Sequence, residues 1–196
     1  YSTSRGSSSF TVVKPGLNGE SSVTGFDTGG DGTMTDSRDG LEYYVTTIGN
    51  TQWMRQNLAW DGTGGEEDKT VGRAYEDCDV MSTIFGRYYT WDEAQSACPP
   101  GWRLPKDTDW AALAEKYGET HEPGTDYEGL AGDLLEQTLA FNGTKMWEYW
   151  KDVDMTNASR LSVMPVGFAN VDDAEYDFDF LYTYAAFWTG DEYGGD

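Results

Sequence analysis

Basic residues are scarce in this sequence. It has 13 Lys and Arg residues against 35 Asp and Glu residues, so the formal net charge is -22. Phosphate backbones and anionic lipid surfaces are bound through basic patches, which this charge does not favour. We therefore expect no nucleic acid and no membrane surface among the partners. The acidic loops would attract calcium through their carboxylate oxygens, but a solvated surface is the preferred interpretation and no cofactor is expected.

Long apolar runs are also missing. No stretch of 18 apolar residues is present, and the first residues lack the basic and apolar regions of a signal peptide. We therefore expect no direct membrane insertion of the given chain. Aromatic residues, in contrast, make up 15% of the sequence, which is not typical of an acidic disordered chain. A length of 196 residues predicts one folded core with a loose end.

Only two cysteines occur, Cys78 and Cys98. Their spacing does not match the paired CxxC motifs of a zinc site. One disulfide between them is the preferred hypothesis, and it would stabilise the fold by roughly 3 kcal/mol in an oxidising compartment. Two buried free thiols are the alternative.

Histidine is almost absent, since His121 is the only one. It lies in the polar segment 118–124 with no nucleophile motif nearby, so a Ser-His-Asp or Cys-His site is not indicated. The acidic residues are so numerous that chance carboxylate pairs give no support to a glycosidase site. We therefore predict that the chain is not an enzyme.

The amino-terminal part has the composition of a connecting segment. Residues 1–35 are rich in Ser, Thr and Gly and are predicted to form a spacer or partial strand region. Asp27, Asp31, Asp36 and Asp39 do not have the spacing of an EF-hand loop, so turn formation is the preferred explanation for them.

Strand and helix patterns follow from residue 41 onward. Residues 41–48 are rich in β-branched and aromatic side chains, and the Gly-Asn turn after them predicts a hairpin with Thr51–Met54. Thr90 and Glu93 have the spacing of a capping box and predict a helix at Trp91–Ala97. Two further helices are predicted at 107–117, with Asp107 as its cap, and at 130–141.

The segment 98–105 predicts a turn between two helices. Pro99 and Pro100 end the first helix, Gly101 permits a tight turn, and Pro105 helps to begin the next helix. Strands beside two or three helices indicate an α+β fold.

Several segments in a fixed order resemble the Fibrobacter succinogenes major paralogous domain. They are 36–40, 48–54, 85–91, 94–105, 161–168 and 187–193. The shorter motif of residues 101–105 followed by Trp110 is similar to the corresponding turn and helix of the C-type-lectin-like, formylglycine-generating superfamily.

The resemblance implies a fold, a location and a domain range. The fold would be C-type-lectin-like, with small twisted antiparallel sheets, flanking helices and long irregular loops. The protein would be extracytoplasmic, either secreted or attached to the bacterial surface like a lipoprotein, with no established catalytic residues. The domain would cover 36–196 and lack its last strands, because family members usually continue into further strands after the Phe-Trp segment.

The leading hypothesis for function is a recognition or adhesion module that binds a surface glycan or a protein partner. Aromatic rings can stack on sugars while acidic side chains take the hydroxyl groups, although packing in the core is the alternative for the same rings. The candidate ligand-binding residues are Trp147, Trp150, Tyr184, Trp188, Asp191, Glu192 and Tyr193. The second hypothesis is a structural subunit of a surface filament or other assembly, completed by strand exchange with copies of itself.

Overall fold

The computed structural model of the protein describes residues 30–62, 70–117, 129–136, 140–141, 144–147, 153–172 and 175–192. Strands β1 (Gly32–Thr35), β2 (Glu42–Ile48) and β3 (Thr51–Met54) are antiparallel in the order β1-β2-β3. The hairpin of β2 and β3 was expected from its sequence and is confirmed. Its turn contains Gly49 with a φ of 64°, a value that glycine adopts without steric cost.

The connection between β1 and β2 is fixed by a buried ion pair. The Asp36 side chain is fully buried, and its carboxylate accepts hydrogen bonds from the backbone N–H and the guanidinium of Arg38. Arg38 also donates to the carbonyl of Ala97 and lies over the ring of Trp60 at 3.8 Å. This contact network joins the first sheet to the helical part of the chain.

Two of the predicted helices are confirmed. Helix α1 (Asp79–Phe85) precedes α2 (Trp91–Ala97), where Thr90 and Glu93 form the expected capping box. Helix α3 (Asp107–Lys116) follows the turn, which is closed by a 2.9 Å bond from Trp102 N–H to the carbonyl of Pro99. The segment 98–105 therefore does connect two helices.

The expected cap of α3 is wrong by one residue. Lys106, and not Asp107, occupies the N-cap position. The carboxylate of Asp109 accepts a 2.7 Å bond from the Lys106 N–H, and Arg103 forms an ion pair with Asp109. The helix start is stabilised from inside its first turn, so it does not require a Ser or Thr cap.

The predicted helix at 130–141 is wrong for the described residues from Leu135 onward. Helix α4 covers only Ala131–Leu134, because Leu135 is extended and pairs with Val163 in an isolated parallel bridge. This pairing buries Leu135 in the core, and the N–H of Glu136 donates to the Val163 carbonyl. A tertiary contact thus replaces the helical hydrogen bonds. A short hairpin of β4 (Ala140–Phe141) and β5 (Thr144–Lys145) follows.

The last described sheet is a third hairpin, made of β6 (Phe168–Asp172) and β7 (Glu175–Asp179). Small antiparallel sheets together with short helices give the α+β class that the sequence predicted. In the described part of the chain, no helix is long and apolar enough to span a membrane.

The core contains two clusters of buried apolar residues. One buried cation, Arg55, forms hydrogen bonds with the chain around residue 160. Arg55 is almost fully buried and donates to the carbonyl of Arg160 and the hydroxyl of Ser162. The first cluster contains Ile48, Trp53, Leu113, Leu135, Trp147, Leu161 and Val163, and the second contains Ile84, Phe85, Met146, Met164 and Val166.

The predicted disulfide is not formed. Cys78 is exposed and directly precedes α1, whereas Cys98 is partly buried at the end of α2, and both are free thiols. The Cys98 Sγ lies 4.0 Å from the carbonyl of Ala94 in its own helix. Cys78 therefore lies at the start of α1 and Cys98 at the end of α2, and no disulfide joins the two helices.

Candidate functional site

A large cleft lies beside the first sheet. Its volume is about 1170 Å³, and its lining comes mainly from residues 50–58, 85–91, 97–105, 161–171 and 186–188. Typical small-molecule sites have volumes of roughly 300–1,000 Å³. The cleft is thus large enough for an extended ligand.

The deep part of this cleft is apolar. Many of its lining side chains are also core residues, so an occupant there would contact hydrocarbon and aromatic surface more than polar groups. The large buried apolar residues of the lining are Trp53, Phe85, Leu161, Val163, Met164 and Val166. Two buried polar residues, Arg55 and Ser162, also line the cleft.

Strand β3 presents one backbone edge to the cleft region. The N–H of Thr47, which pairs with Gln52 in the β2–β3 register, donates to the Asp31 carboxylate on the β1 side. The carbonyl of Val45, which pairs with Met54, likewise accepts from Asp31 on that side. Because polar groups alternate along an antiparallel ladder, the N–H and C=O of Gln52 and Met54 point away from β2. Within the described residues, no strand pairs with this outer edge.

The rim of the cleft carries the segment 187–191, which we call the aromatic strap. The indole N–H of Trp188 donates to the carbonyl of Tyr89 at 2.7 Å, and Trp91 donates to the carbonyl of Thr189 at 3.2 Å. Farther along, the Gly190 N–H donates to the Pro105 carbonyl at 2.8 Å. These bonds hold the backbone of the strap against the starts of α2 and α3.

Two exposed rings of the strap lie at the cleft. Trp188 is 49% exposed and Phe187 is 42% exposed, and both residues line the cleft. Phe187 lies 5.7 Å from Trp110, which in turn lies 4.9 Å from Trp53. A chain of aromatic contacts therefore connects the rim with the core, and the rings have fixed positions.

The residues predicted for ligand binding are not all brought together. Trp188 lines the cleft, but Tyr184 lies beside Phe180 at a ring distance of 5.1 Å and is not among the lining residues. Trp147 is only 5% exposed and donates its indole N–H to the Val163 carbonyl. Its ring therefore packs in the core, which was the alternative to ligand binding.

The acidic members of the predicted set have different surroundings. The carboxylate of Asp191 accepts a 2.7 Å bond from the backbone N–H of Asp107, which stabilises the start of α3. Glu192 is exposed. Trp150 and Tyr193 lie outside the described residues.

Sequence reasoning missed the edge of β3 and the role of Phe187. The edge was detectable in principle, because the predicted hairpin leaves β3 with one partner strand. Phe187 directly precedes Trp188 in the sequence, but two adjacent aromatic residues do not by themselves distinguish a surface site from core packing.

The tyrosines near the cleft act as neutral hydrogen-bond donors. Burial raises the pKa of Tyr88 and of Tyr89 well above the usual phenol range. The Tyr88 hydroxyl donates to the Val166 carbonyl at 2.6 Å, and the Tyr89 hydroxyl donates to the Trp60 carbonyl at 2.7 Å. Both groups therefore serve to position the backbone around the cleft.

Several carboxylates of the acidic loops are used by the fold. Asp36 accepts from the Arg38 N–H and Asp39 accepts from the Leu41 N–H, as expected for turn formation. Asp31 instead accepts from the distant Thr47 N–H of β2, which is a contact between strands and not a turn. Asp27 lies outside the described residues. In the part of the chain that is described, no group of three or more His, Cys, Asp or Glu side chains is arranged to hold a metal ion.

Comparisons with known proteins give one result. No curated protein and no solved structure matches the chain. The family model for the Fibrobacter succinogenes major domain matches residues 46–196, which include β3, the cleft and the aromatic strap. The chain therefore belongs to the Fibrobacter succinogenes major domain family.

Proposed function

We propose that this chain is a non-enzymatic recognition module that acts outside the cytoplasm and accepts an extended strand of another polypeptide in its cleft. The observation that carries the proposal is the outer edge of β3. There the backbone N–H and C=O groups of Gln52 and Met54 point away from β2, and both residues line the cleft. An added strand would bond to this edge through its backbone.

The shape and polarity of the cleft agree with a strand as occupant. Alternate side chains of an added strand point to one face, so one set would enter the apolar interior while the other faced solvent. Trp53 and Val163 would contact the inward set. A hydrophilic sugar would gain little from the apolar part of this surface, because apolar area is stabilised by apolar contact.

The biological setting in this proposal is a bacterial surface assembly. Strand exchange between neighbouring copies or with a different protein would make the module a structural subunit or an adhesin. The finer fold assignment, a C-type-lectin-like arrangement, belongs to the same proposal. It is supported by the turn at 101–105 between α2 and α3 and by the long irregular segment 153–167.

A proline at Gln52 provides a direct test. Proline removes the outward N–H of this position but no bond between β2 and β3, and proline is tolerated at such edge positions. The probe is a short synthetic peptide that alternates Val and Thr, with blocked ends, and calorimetry measures its affinity. We expect Gln52→Pro to weaken binding by about tenfold, equivalent to one lost hydrogen bond of about 1.4 kcal/mol.

Gln52→Ala is the matched control, because it removes the side chain and keeps the N–H. It should bind the peptide as the parent chain does. Amide hydrogen exchange should also slow at Gln52 and Met54 when the peptide is bound. The proposal is rejected if the peptide does not bind, or if Gln52→Pro and Gln52→Ala bind it equally well.

A second candidate function is glycan binding at the rim of the cleft. It is favoured by the aromatic strap, where the exposed ring of Trp188 is held in place by its bond to the Tyr89 carbonyl. A fixed aromatic face can stack on a sugar ring without losing side-chain freedom on binding.

A glycan array, screened with and without calcium, tests this candidate. Binding that is lost in Trp188→Ala and retained in Tyr184→Ala would place a sugar at the strap. If no glycan binds under either condition, the glycan hypothesis fails and the strand proposal is unaffected. A calcium requirement would revive the weak expectation of a cation, which has no other support.

A further inference from the structure

The two faces of the β6–β7 hairpin differ strongly in chemistry. One face carries Tyr176 and Phe178, and Phe178 packs against Tyr75 at 5.2 Å and Tyr88 at 5.0 Å. This face is therefore turned toward the body of the protein. Side chains alternate along a strand, so the opposite face is turned away from it.

The outward face, which we call the acidic face, combines three cross-strand pairs. Residues that are directly opposite in an antiparallel register share one face. The pairs are Asp172 with Glu175, Asn170 with Asp177, and Phe168 with Asp179. Four of these six side chains are carboxylates, and those of the first pair are like charges placed directly opposite each other, which is destabilising.

Among the residues that the structure describes, the acidic face has no ion-pair partner. None of the ion pairs found among the described residues involves Asp172, Glu175, Asp177 or Asp179. Arg73, a cation near this hairpin, lies 5.7 Å from the ring of Tyr176 on the inward face. The Asp179 carboxylate accepts a 3.3 Å bond from the side-chain amide of Asn170. The carboxylates of Asp172, Glu175 and Asp177 are exposed and accessible to a cation from outside.

An exposed aromatic cluster adjoins the acidic face. Phe180 stacks on Phe168 at 5.2 Å and meets Tyr184 edge to face at 5.1 Å. Phe180 is 49% exposed and Tyr184 is 51% exposed. Phe180 also has a φ of 60°, a left-handed conformation that aromatic residues rarely adopt.

The backbone around Phe180 holds this conformation. The carbonyl of Phe180 accepts from the N–H groups of Thr183 and Tyr184, and the N–H of Tyr182 donates to the Pro165 carbonyl. The tight turn 180–183 therefore keeps the Phe180 ring at the surface, where a side chain gains little from burial within the chain itself.

We propose that the acidic face and the Phe180–Tyr184 cluster together bind a polypeptide segment that carries Arg or Lys beside apolar side chains. The guanidinium groups would pair with the carboxylates and lie over the rings, and the apolar side chains would cover Phe180. The acidic face of a second copy is a poor occupant, because its carboxylates would repel those of the first copy.

This site is separable from the proposed strand site. Phe168 and Asn170 also line the cleft, so the two sites share an edge. Phe180, Tyr184, Glu175 and Asp177 are not among the cleft residues. Substitutions at these four positions therefore leave the cleft lining unchanged.

Three short synthetic peptides serve as probes, alternating Arg with Leu, Arg with Ser, and Glu with Leu. Fluorescence anisotropy at physiological salt measures their affinities for the full chain. We expect the Arg-Leu peptide to bind about tenfold or more tightly than the Arg-Ser peptide, and the Glu-Leu peptide not to bind.

Two variants localise the interaction. Glu175→Gln with Asp177→Asn should weaken Arg-Leu binding by about tenfold, whereas Glu42→Gln with Glu115→Gln removes the same charge elsewhere on the exposed surface and should change it less than about twofold. Phe180→Asn should also weaken binding by about tenfold, and Asn suits the positive φ. Circular dichroism confirms that each variant is folded.

Four outcomes would overturn the proposal. Equal weakening by the two double variants would mean unspecific attraction to the net charge. Equal affinity for the Arg-Leu and Arg-Ser peptides would show that apolar contacts do not contribute to binding. Unchanged binding by Phe180→Asn would show that the aromatic cluster is not part of the site. Loss of Arg-Leu binding in Gln52→Pro alone would place that peptide in the cleft, which would support the strand proposal instead.

Discussion

The indole N–H of Trp188 donates a 2.7 Å hydrogen bond to the backbone carbonyl of Tyr89, a residue 99 positions earlier in the chain. Trp91 returns a bond to the carbonyl of Thr189, so the strap and the segment before α2 hold each other. The ring of Trp188 nevertheless stays half exposed. The contact therefore fixes the direction of the ring without burying it.

Trp188→Ala should lower the free energy of unfolding by only about 1–2 kcal/mol, because it removes one hydrogen bond and a partly exposed ring. Trp147→Ala should lower it by roughly 3–5 kcal/mol, because Trp147 is 5% exposed and its loss leaves a cavity in the core. Urea denaturation of both variants measures the difference. If the two losses are equal, Trp188 is a structural residue and its role in ligand binding is lost.

The contrast between these two tryptophans shows what the sequence alone can predict. Both lie in aromatic-rich stretches, and no local pattern distinguishes a ring that packs on Leu161 and Val163 from one that lies at a cleft. The hairpin at β2 and β3 and the capping box at Thr90 were predicted correctly, since these features depend on residues close together in the chain.

Features that depend on distant partners were not predictable in this way. Helix α4 ends early because Leu135 pairs with Val163, which is far away in the sequence. The expected disulfide is also not formed, since Cys78 and Cys98 are both free thiols. The acidic face likewise results from the cross-strand register of β6 and β7. This register cannot be predicted from the composition.

Gly167 should tolerate no side chain. Its φ is 67°, and an added Cβ would overlap the backbone oxygen of Asp179 and lie 2.9 Å from the carbonyl carbon of Phe180. Gly167→Ala should therefore lower the free energy of unfolding by roughly 2–4 kcal/mol. Thermal unfolding followed by circular dichroism measures this loss.

Gly49 provides the matched control for Gly167. It has a similar φ of 64°, but nothing lies within 4 Å of an added Cβ. Gly49→Ala should cost only about 1 kcal/mol from the left-handed backbone conformation. Equal losses for the two variants would show that the close approach of the turn 180–183 to Gly167 does not matter for stability.

The Asp36–Arg38 pair should make stability depend on acid pH. Burial raises the pKa of Asp36, but hydrogen bonds from the side chain and backbone of Arg38 lower it more, so the pKa lies below its usual value. A depressed folded-state pKa stabilises the fold above the unfolded pKa of about 3.9, and this contribution is lost as pH falls through the folded pKa.

Asp36→Asn should therefore lower the free energy of unfolding near neutral pH by roughly 3 kcal/mol, since it leaves Arg38 without its buried partner. The deficit should shrink below about pH 4, where the parent chain also begins to lose the pair. Urea denaturation across this pH range measures the trend. Asp92→Asn, on the exposed surface of α2, is the control and should change stability by less than about 0.5 kcal/mol. A deficit that stays constant with pH would exclude the ion pair as its cause.

The two cysteines should react as independent thiols. Burial raises the pKa of Cys98, and the nearby Arg38 only partly offsets this effect, so Cys98 should be less reactive than the exposed Cys78. Titration of the folded chain with a thiol-specific disulfide reagent near pH 8 should therefore show one fast and one slow phase, and Cys78→Ser should remove the fast phase alone. A reducing agent should leave the melting temperature unchanged. A cross-linked 78–98 peptide in the mass spectrum of the unreduced protein, together with a melting temperature that falls on reduction, would instead establish the disulfide that the structure lacks.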